Sequence, residues 1–525
     1  MTGLDARRCH ARVKVSARLQ LVIVHYHLRP GGVRRVIEQA APHLARRMSA
    51  SVLLATGEAP DDAWLRSFRQ RLSTTPVEVR TLPAFGYISE QRASPAEVRR
   101  QMRVLFARID DDAVVWTHNP SLGRNLLLIR ELVRACAARR IPLIAHQHDW
   151  WFENRWQRWP ELRRCGFRTL RAVAETVLPA SPHLIHATIN REDTALLQKH
   201  FPGRVHWLPN LVEPAAPAHP RTARRWLREK LASTAPVWLA PCRLLRRKNI
   251  AEALLLTRWL RPEAILVTTG GVSSADEKMY AEKLENAARQ HGWPLRLGLL
   301  ARDSRDAPSI SEIMAASEAI LLTSIQEGFG LAHLEAAAAA RPLITRRLPN
   351  IAPDLAGFGF RFPQSYDDIL IAPGLFDWQD ERRRQEKLFR TWLRHLPRSC
   401  RRWAGEPALL ARKTPQPLPF SRLTLTAHLE VLSHPADASW KLCAPLNAFL
   451  ATWKKRAAAG RLQATPWPRS SAKWLSGPAY AARFAEIARS TKRHTVDPSA
   501  SLAAQDEFLR ARLDSAHQFP LLWTP

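Results

Sequence analysis

The sequence predicts an α/β protein with two parallel-sheet domains and a mostly helical C-terminal extension, and three observations predict it. Short apolar runs alternate with longer segments of helical period from Leu19 to about Leu211, a proline-rich break follows, and the alternation restarts at Val237 and continues to about Pro363. At 525 residues the chain is too long for one ordinary core, and a hydrophobic content of 46% argues for buried, globular structure.

Each element has its own justification. In the first segment, strands are expected at residues 19–24, 51–55, 77–82, 113–117, 143–145, 184–187 and 205–208, each bounded by turn formers or charges. Residues 208–220 hold too many prolines for a helix or a central strand and read as an interdomain connection. Strands of a second sheet follow at 237–240, 264–268, 295–299, 319–322 and 343–345, with helices between them at 311–316 and 331–340. Beyond Pro363, helical patterns at 380–394, 446–459, 478–490 and 503–517 are separated by proline segments at 413–420 and 464–468. The chain divides accordingly into residues 16–212, 213–375 and 376–525.

Charge and cysteine usage narrow the setting. The formal charge of +32 attracts phosphates, anionic headgroups or nucleic acid without choosing among them. The arginines are dispersed and specific nucleic-acid motifs are missing, so the main reading is a solvated basic surface, part of which suits peripheral contact with an anionic membrane. Cys9, Cys136, Cys165, Cys242, Cys400 and Cys443 form no CxxC pair, which argues against a zinc ribbon or a disulfide framework and fits a reducing cytoplasm. The apolar run at 19–24 is too short for a signal-peptide core, and no uncharged stretch is long enough to span a bilayer.

Chemistry concentrates where predicted strands end. In Ser324-Ile-Gln-Glu-Gly-Phe-Gly-Leu-Ala-His-Leu-Glu-Ala336, Gly328 and Gly330 allow close backbone approach and the following helix start favours an anion such as a diphosphate. Glu335 could accept hydrogen bonds from a vicinal diol such as a ribose, and Glu327 would stand near the sugar; the plainer alternative makes Glu335 a dipole-favouring helix-start carboxylate and Glu327 a loop charge. Arg243 and Lys248 follow the first strand of the second sheet and could converge on that diphosphate. In the first segment, Gly31 and Gly32 open a glycine loop, and His118, His148 and Asp149 follow strands expected at the same edge. A metal on His146, His148 and Asp149 lacks a third partner at a recognised spacing. The aromatic set Trp150, Trp151, Phe152, Trp156 and Trp159 reads as packing rather than a stacking platform.

Together these stretches resemble family 4 of the retaining nucleotide-sugar glycosyltransferases over roughly Leu19 to Pro363. The most specific part is the E-x7-E segment from Glu327 to Glu335, supported by Arg243 with Lys248, the Pro209-Asn210 linker and the Gly31-Gly32 loop. The resemblance implies a GT-B fold, two Rossmann-like domains facing a cleft, with 16–212 on the acceptor side, 213–375 holding the donor, and a last helix packing back on the first domain. It implies that Arg243 and Lys248 grip the donor diphosphate, that Gly328, Phe329, Gly330 and Leu331 support phosphate and sugar, and that Glu335 holds the ribose. Glu327 and His118 would act at the transferred sugar, Gly31 and Gly32 would approach the donor, and His148 with Asp149 could face the acceptor. The implied reaction is metal-independent and retaining, with no cofactor beyond the nucleotide-sugar substrate. Ala332 and His333 depart from the family, which commonly has proline after Gly-Phe-Gly-Leu.

The acceptor and the nucleotide stay open at this level, the basic surface favouring a phosphorylated or lipid-linked acceptor and a site in the cytoplasm or at the inner membrane surface. Two competitors remain: a nucleotide-sugar epimerase of the same architecture, and a non-catalytic anion- or nucleic-acid-binding protein.

Overall fold

The protein is described by a computed structural model covering residues 19–153, 156–214, 220–272, 274–301, 307–490 and 497–524. Cys9 and the linker residues 215–219 lie outside the described residues.

Seven parallel strands form the first sheet: β1 (Gln20–His25), β2 (Ser51–Thr56), β3 (Val77–Thr81), β4 (Ala113–His118), β5 (Leu143–Gln147), β6 (Leu184–Thr188) and β7 (Val205–Trp207). Their order is β3-β2-β1-β4-β5-β6-β7. Helices cover both faces, which is why β1, β4, β5 and β6 are buried throughout and read as nearly continuous apolar runs. The order reverses direction between β1 and β4, so the loops after these strands, carrying Gly31-Gly32 and the residues beyond His118, flank a crevice.

The second sheet repeats the design with β8 (Val237–Ala240), β9 (Ile265–Thr268), β10 (Leu295–Arg296), β11 (Ala319–Leu322), β12 (Leu343–Arg346) and β13 (Gln364–Tyr366), in the order β10-β9-β8-β11-β12-β13. Here the reversal falls between β8 and β11, and their loops carry Arg243 to Lys248 and Glu327. The strand expected at 295–299 shortens to Leu295–Arg296, and β13 is an addition. β13 reads Gln-Ser-Tyr, with no apolar run to announce it; polar bonds hold it, Gln364 Nε2 donating to the Gln463 carbonyl at 2.7 Å and Tyr366 Oη to Glu252 at 2.5 Å.

The extension does not stand apart. Its leading part, with helices Trp378–His395, Leu425–Ser433, Ala436–Cys443 and Phe449–Ala458, packs Val431, Cys443, Leu450 and Trp453 into the same core as Leu254 and Trp259 of the donor side. Helix Leu425–Ser433 is short and buried over much of its surface, and helix Ala436–Cys443 is short and buries only Ser439 and Cys443, so no amphipathic stripe marked either in the sequence. Helix Gly477–Arg489 then crosses to the first domain, where Tyr480, Ala481 and Phe484 join Val36, Ile37 and Ala40 of helix Gly32–Met48. Gly477 makes the close approach: a Cβ there would lie 2.1 Å from His43 Nε2. Helix Ser499–Leu513 completes the return, burying Phe508 and Leu509 against Trp150 and Val173.

Candidate functional site

The reversal point of the second sheet is built from two loops tied to each other. After β8 a tight turn at Arg246–Lys248 ends on Asn249, whose left-handed backbone (φ 48°) starts helix Ile250–Leu260. Thr323, just past β11, donates its hydroxyl to the carbonyls of Lys248 and Asn249, each at 3.0 Å, and the Ile325 N–H donates to the Arg247 carbonyl at 2.9 Å. This lacing delivers the Glu327 carboxylate to two cations. Lys248 Nζ donates to one oxygen and Arg247 Nη1 to the other at 3.1 Å. Burial works against a charge on Glu327, but Lys248 and Arg247 outweigh it and hold the carboxyl well below the usual carboxylate range. Asn350 Nδ2 fixes the loop from behind by donating to the Glu327 carbonyl at 2.7 Å. Arg243 is exposed on the same loop, against Gly270, where a Cβ would come within 2.8 Å of Arg243 Cγ.

From Glu327 the chain runs directly against the first domain. A Cβ on Gly328 would lie 2.9 Å from the His148 carbonyl oxygen, and Asn190 Nδ2 donates to the Gly328 carbonyl at 3.2 Å. Phe329 is buried among Ile189, Val212 and Phe358, which makes its ring an interdomain packing element. Gly330 takes the left-handed backbone (φ 87°) that starts helix Leu331–Ala338, and Leu331 is half-buried. The departure at His333 has a structural purpose, since its buried ring shares a hydrogen bond with Thr345 Oγ1 of β12 at 2.8 Å. Glu335 forms an ion pair across the interdomain crevice with Arg35 of helix Gly32–Met48. Burial raises its carboxyl above the ordinary value, with Arg35 and Lys248 acting in the opposite direction.

The first domain supplies a different lining. A Cβ at Gly32 would meet nothing within 4 Å and one at Gly31 only the Arg29 carbonyl at 3.8 Å, so this loop borders open space. His118 ends β4, and His146 lies opposite it in register on β5. His118 Nδ1 and His148 Nε2 share a hydrogen bond at 3.1 Å, and His146 Nε2 sits 3.2 Å from the Leu208 carbonyl. One ring nitrogen from each of His118, His146 and His148 falls within 4.8 Å of the others, so the third partner that sequence spacing failed to supply comes from the neighbouring strand. All three rings are kept neutral. Burial first, then neighbouring histidines, pushes His118 well below its ordinary value, and His148 falls to about 3. Among the described residues His118 Nε2 has no hydrogen-bond partner. Asp149 is fixed by a reciprocal clamp, Asn119 Nδ2 donating to its carboxylate and its own N–H donating to Asn119 Oδ1, both at 2.9 Å. Trp150, Trp151, Phe152 and Trp156 are buried in one cluster, as packing residues should be.

Residues 225–369, the span that contains Arg243, Lys248, Glu327 and Glu335, match the family model of the glycosyl transferases group 1. The chain carries a group 1 glycosyltransferase domain. A curated relative, the mannosylglucosyl-3-phosphoglycerate synthase of Petrotoga mobilis, is 25% identical over 349 residues, 63% of this chain and 65% of the relative; the chain thus spans under two thirds of that protein's length. Among solved structures, the sucrose-phosphate synthase of Thermosynechococcus elongatus superposes with a TM-score of 0.51 at 13% identity, over 90% of this chain and 98% of that one. An Anabaena protein crystallised with UDP and glucose gives a TM-score of 0.46 at 18% identity, over 64% of this chain and 82% of that one. The architecture is GT-B, with the group 1 match covering most of the second parallel-sheet domain.

Four residues of the site escaped sequence reasoning. Arg247 stood inside the cationic segment but was indistinguishable from its neighbours until the turn at 246–248 aimed it at Glu327. Arg35, Asn190 and Asn350 act from other elements, and no local pattern links them to the group 1 loop they contact.

Proposed function

We propose that the protein transfers a sugar from a nucleotide-diphosphate-sugar to a hydroxyl acceptor with retention at the anomeric carbon and without a metal ion. The observation that carries this reading is the half-buried, ionised Glu327 held by Lys248 and Arg247 at the reversal point of the group 1 domain. A diphosphate entering there meets Arg243, Arg247 and Lys248, cations that can neutralise it as a leaving group without a divalent ion. Glu327 stands at the sugar and supports positive charge developing at the anomeric carbon, while the departing diphosphate accepts the acceptor's proton on the same face. Glu335 exchanges Arg35 for the ribose diol. His118 stays neutral, so its unpartnered Nε2 serves as a hydrogen-bonding group to the sugar rather than as a proton reservoir. We place the reaction on the cytoplasmic side, where nucleotide sugars are substrates.

Calorimetric titration with uridine, guanosine and adenosine diphosphate sugars, followed by a hydrolysis assay in the presence of a chelator, tests the reading. Binding of one donor, chelator-resistant turnover and an α-linked product from an α-linked donor are expected. Inversion at the anomeric carbon, or release of an epimerised free nucleotide sugar, would overturn it.

A further inference from the structure

A second chamber adjoins the group 1 loop. It has a volume of about 750 Å³ and its wall draws on all three parts of the chain: Phe152 and Trp156 of the first domain, Glu327 and Arg347 of the second, and Arg512 and Phe519 of the extension, among others. Glu327 is in this wall, whereas Arg243, Lys248 and Glu335 are not, so the chamber is distinct from the place where those residues would meet a diphosphate and ribose.

The chemistry of the wall indicates what fits. Its guanidinium groups are largely engaged already, although the buried Nε atoms of Arg346 and Arg512 have no partner among the described residues. Arg347 Nε donates to Asp367 at 2.7 Å, Arg512 Nη2 to Asp193 at 3.3 Å, and Arg422 to the carbonyls of Ala516 and Gln518 at 2.7 and 2.8 Å. A phosphate or carboxylate ligand would approach a wall in which six carboxylates, among them Glu153, Glu192, Asp354 and Asp367, stand beside five guanidiniums. Hydroxyl groups meet no such repulsion, because they donate to carboxylates and accept from the remaining N–H groups of guanidiniums without displacing anything. Phe519, half-exposed and held by the Arg422 guanidinium 4.0 Å from its ring centroid, offers an apolar surface to the C–H face of a sugar ring. The size lies within the range of small-molecule sites, roughly 300–1,000 Å³.

We infer that this chamber, completed by the extension, is the acceptor site, and that it takes an uncharged saccharide or short glycoside rather than the phosphorylated or lipid-linked acceptor that the basic surface suggested. The inference rests on the proposed role of Glu327 at the donor sugar, because Glu327 is a residue that the chamber's wall shares with the donor loop. The extension is then part of the site.

The test uses the full chain and the Phe519→Ala variant. Binding of maltose, lactose, mannobiose and maltotriose is measured by saturation-transfer NMR and tryptophan fluorescence, with glucose 6-phosphate and mannose 6-phosphate as charged comparators. Donor binding is measured separately by calorimetry. A neutral saccharide should bind more tightly than the sugar phosphates, and Phe519→Ala should weaken it about tenfold while leaving donor affinity unchanged. Preference for a sugar phosphate, no saccharide binding at all, or saccharide binding indifferent to Phe519→Ala would each overturn the acceptor assignment. Loss of donor binding in the unaltered chain would overturn the proposed transfer reaction instead, and the saccharide arm would still report on the chamber.

Discussion

The two sheets present the same geometrical feature to the crevice and equip it oppositely. At the reversal point of the second sheet, the strand-end loops carry formal charges, with Arg247 and Lys248 holding Glu327 ionised despite burial. At the edge of the first sheet, His25, His118, His146 and His148 are packed together as neutral imidazoles because burial outweighs their hydrogen bonds. Equal topology therefore leaves the electrostatic character of a crevice wall undetermined; the side chains at the strand ends decide it. In the proposed reaction the donor's diphosphate meets the charged wall and its sugar hydroxyls meet the neutral imidazoles.

The strongest way to break the contrast is Lys248→Ala, which removes one of the two cations from Glu327 and from the expected diphosphate. Turnover of the donor identified by calorimetry should fall by roughly 100-fold or more; unchanged initial rates would remove Lys248 from the site. The neutral wall is probed by pH. The imidazoles of His25 and His148 titrate near 3 when folded and near 6.5 when unfolded, so only the unfolded chain takes up these protons as pH falls. Stability is complete above about 6.5 and declines below it, by up to about 1.4 kcal/mol per pH unit for each histidine, until the folded values are reached. Urea midpoints at pH 7.5, 6 and 5 should trace this decline, and His148→Gln should flatten it.

Smaller effects are expected where the walls touch. Gly328→Ala inserts a Cβ against the His148 carbonyl and should cost about 1–3 kcal/mol of stability through overpacking, with a weaker donor affinity, both visible in thermal melts with and without nucleotide. Arg35→Ala should change stability by less than about 1 kcal/mol, because the Arg35 side chain is 42% exposed in its pair with Glu335. Its informative readout is calorimetric: donor affinity should rise slightly once Glu335 no longer has to exchange a partner.

How much of this was legible beforehand follows the range of the interactions. Parallel strands buried on both faces show themselves as apolar runs, and twelve of the thirteen strands of the two sheets were anticipated, with boundary shifts; β13 was not, because Gln364 and Tyr366 are fixed by polar contacts to distant Gln463 and Glu252. Arg243, Lys248, Glu327 and Glu335 could be singled out because each sits at a strand end or helix start in a local pattern. Of the His118–His146–His148 grouping only the shared edge of His118 and His148 could be, since register across β4 and β5 brings His146 opposite His118. Four of the extension's helices could be seen individually and the two at 425–443 could not, while its path over both domains depends on tertiary packing that no periodicity encodes.

That path affects how the chain matures. The apolar surface of helix Gly32–Met48, with Val36, Ile37 and Ala40, is emerging early in synthesis, yet its covering residues Tyr480, Ala481 and Phe484 are made more than four hundred positions later. Until they arrive, the nascent first domain presents a greasy flank to the cell for the time needed to translate everything between, at about 5–20 residues per second. Nascent chains paused before residue 477 should therefore recruit holdase chaperones, and release of that cargo should coincide with docking of Gly477 beside His43.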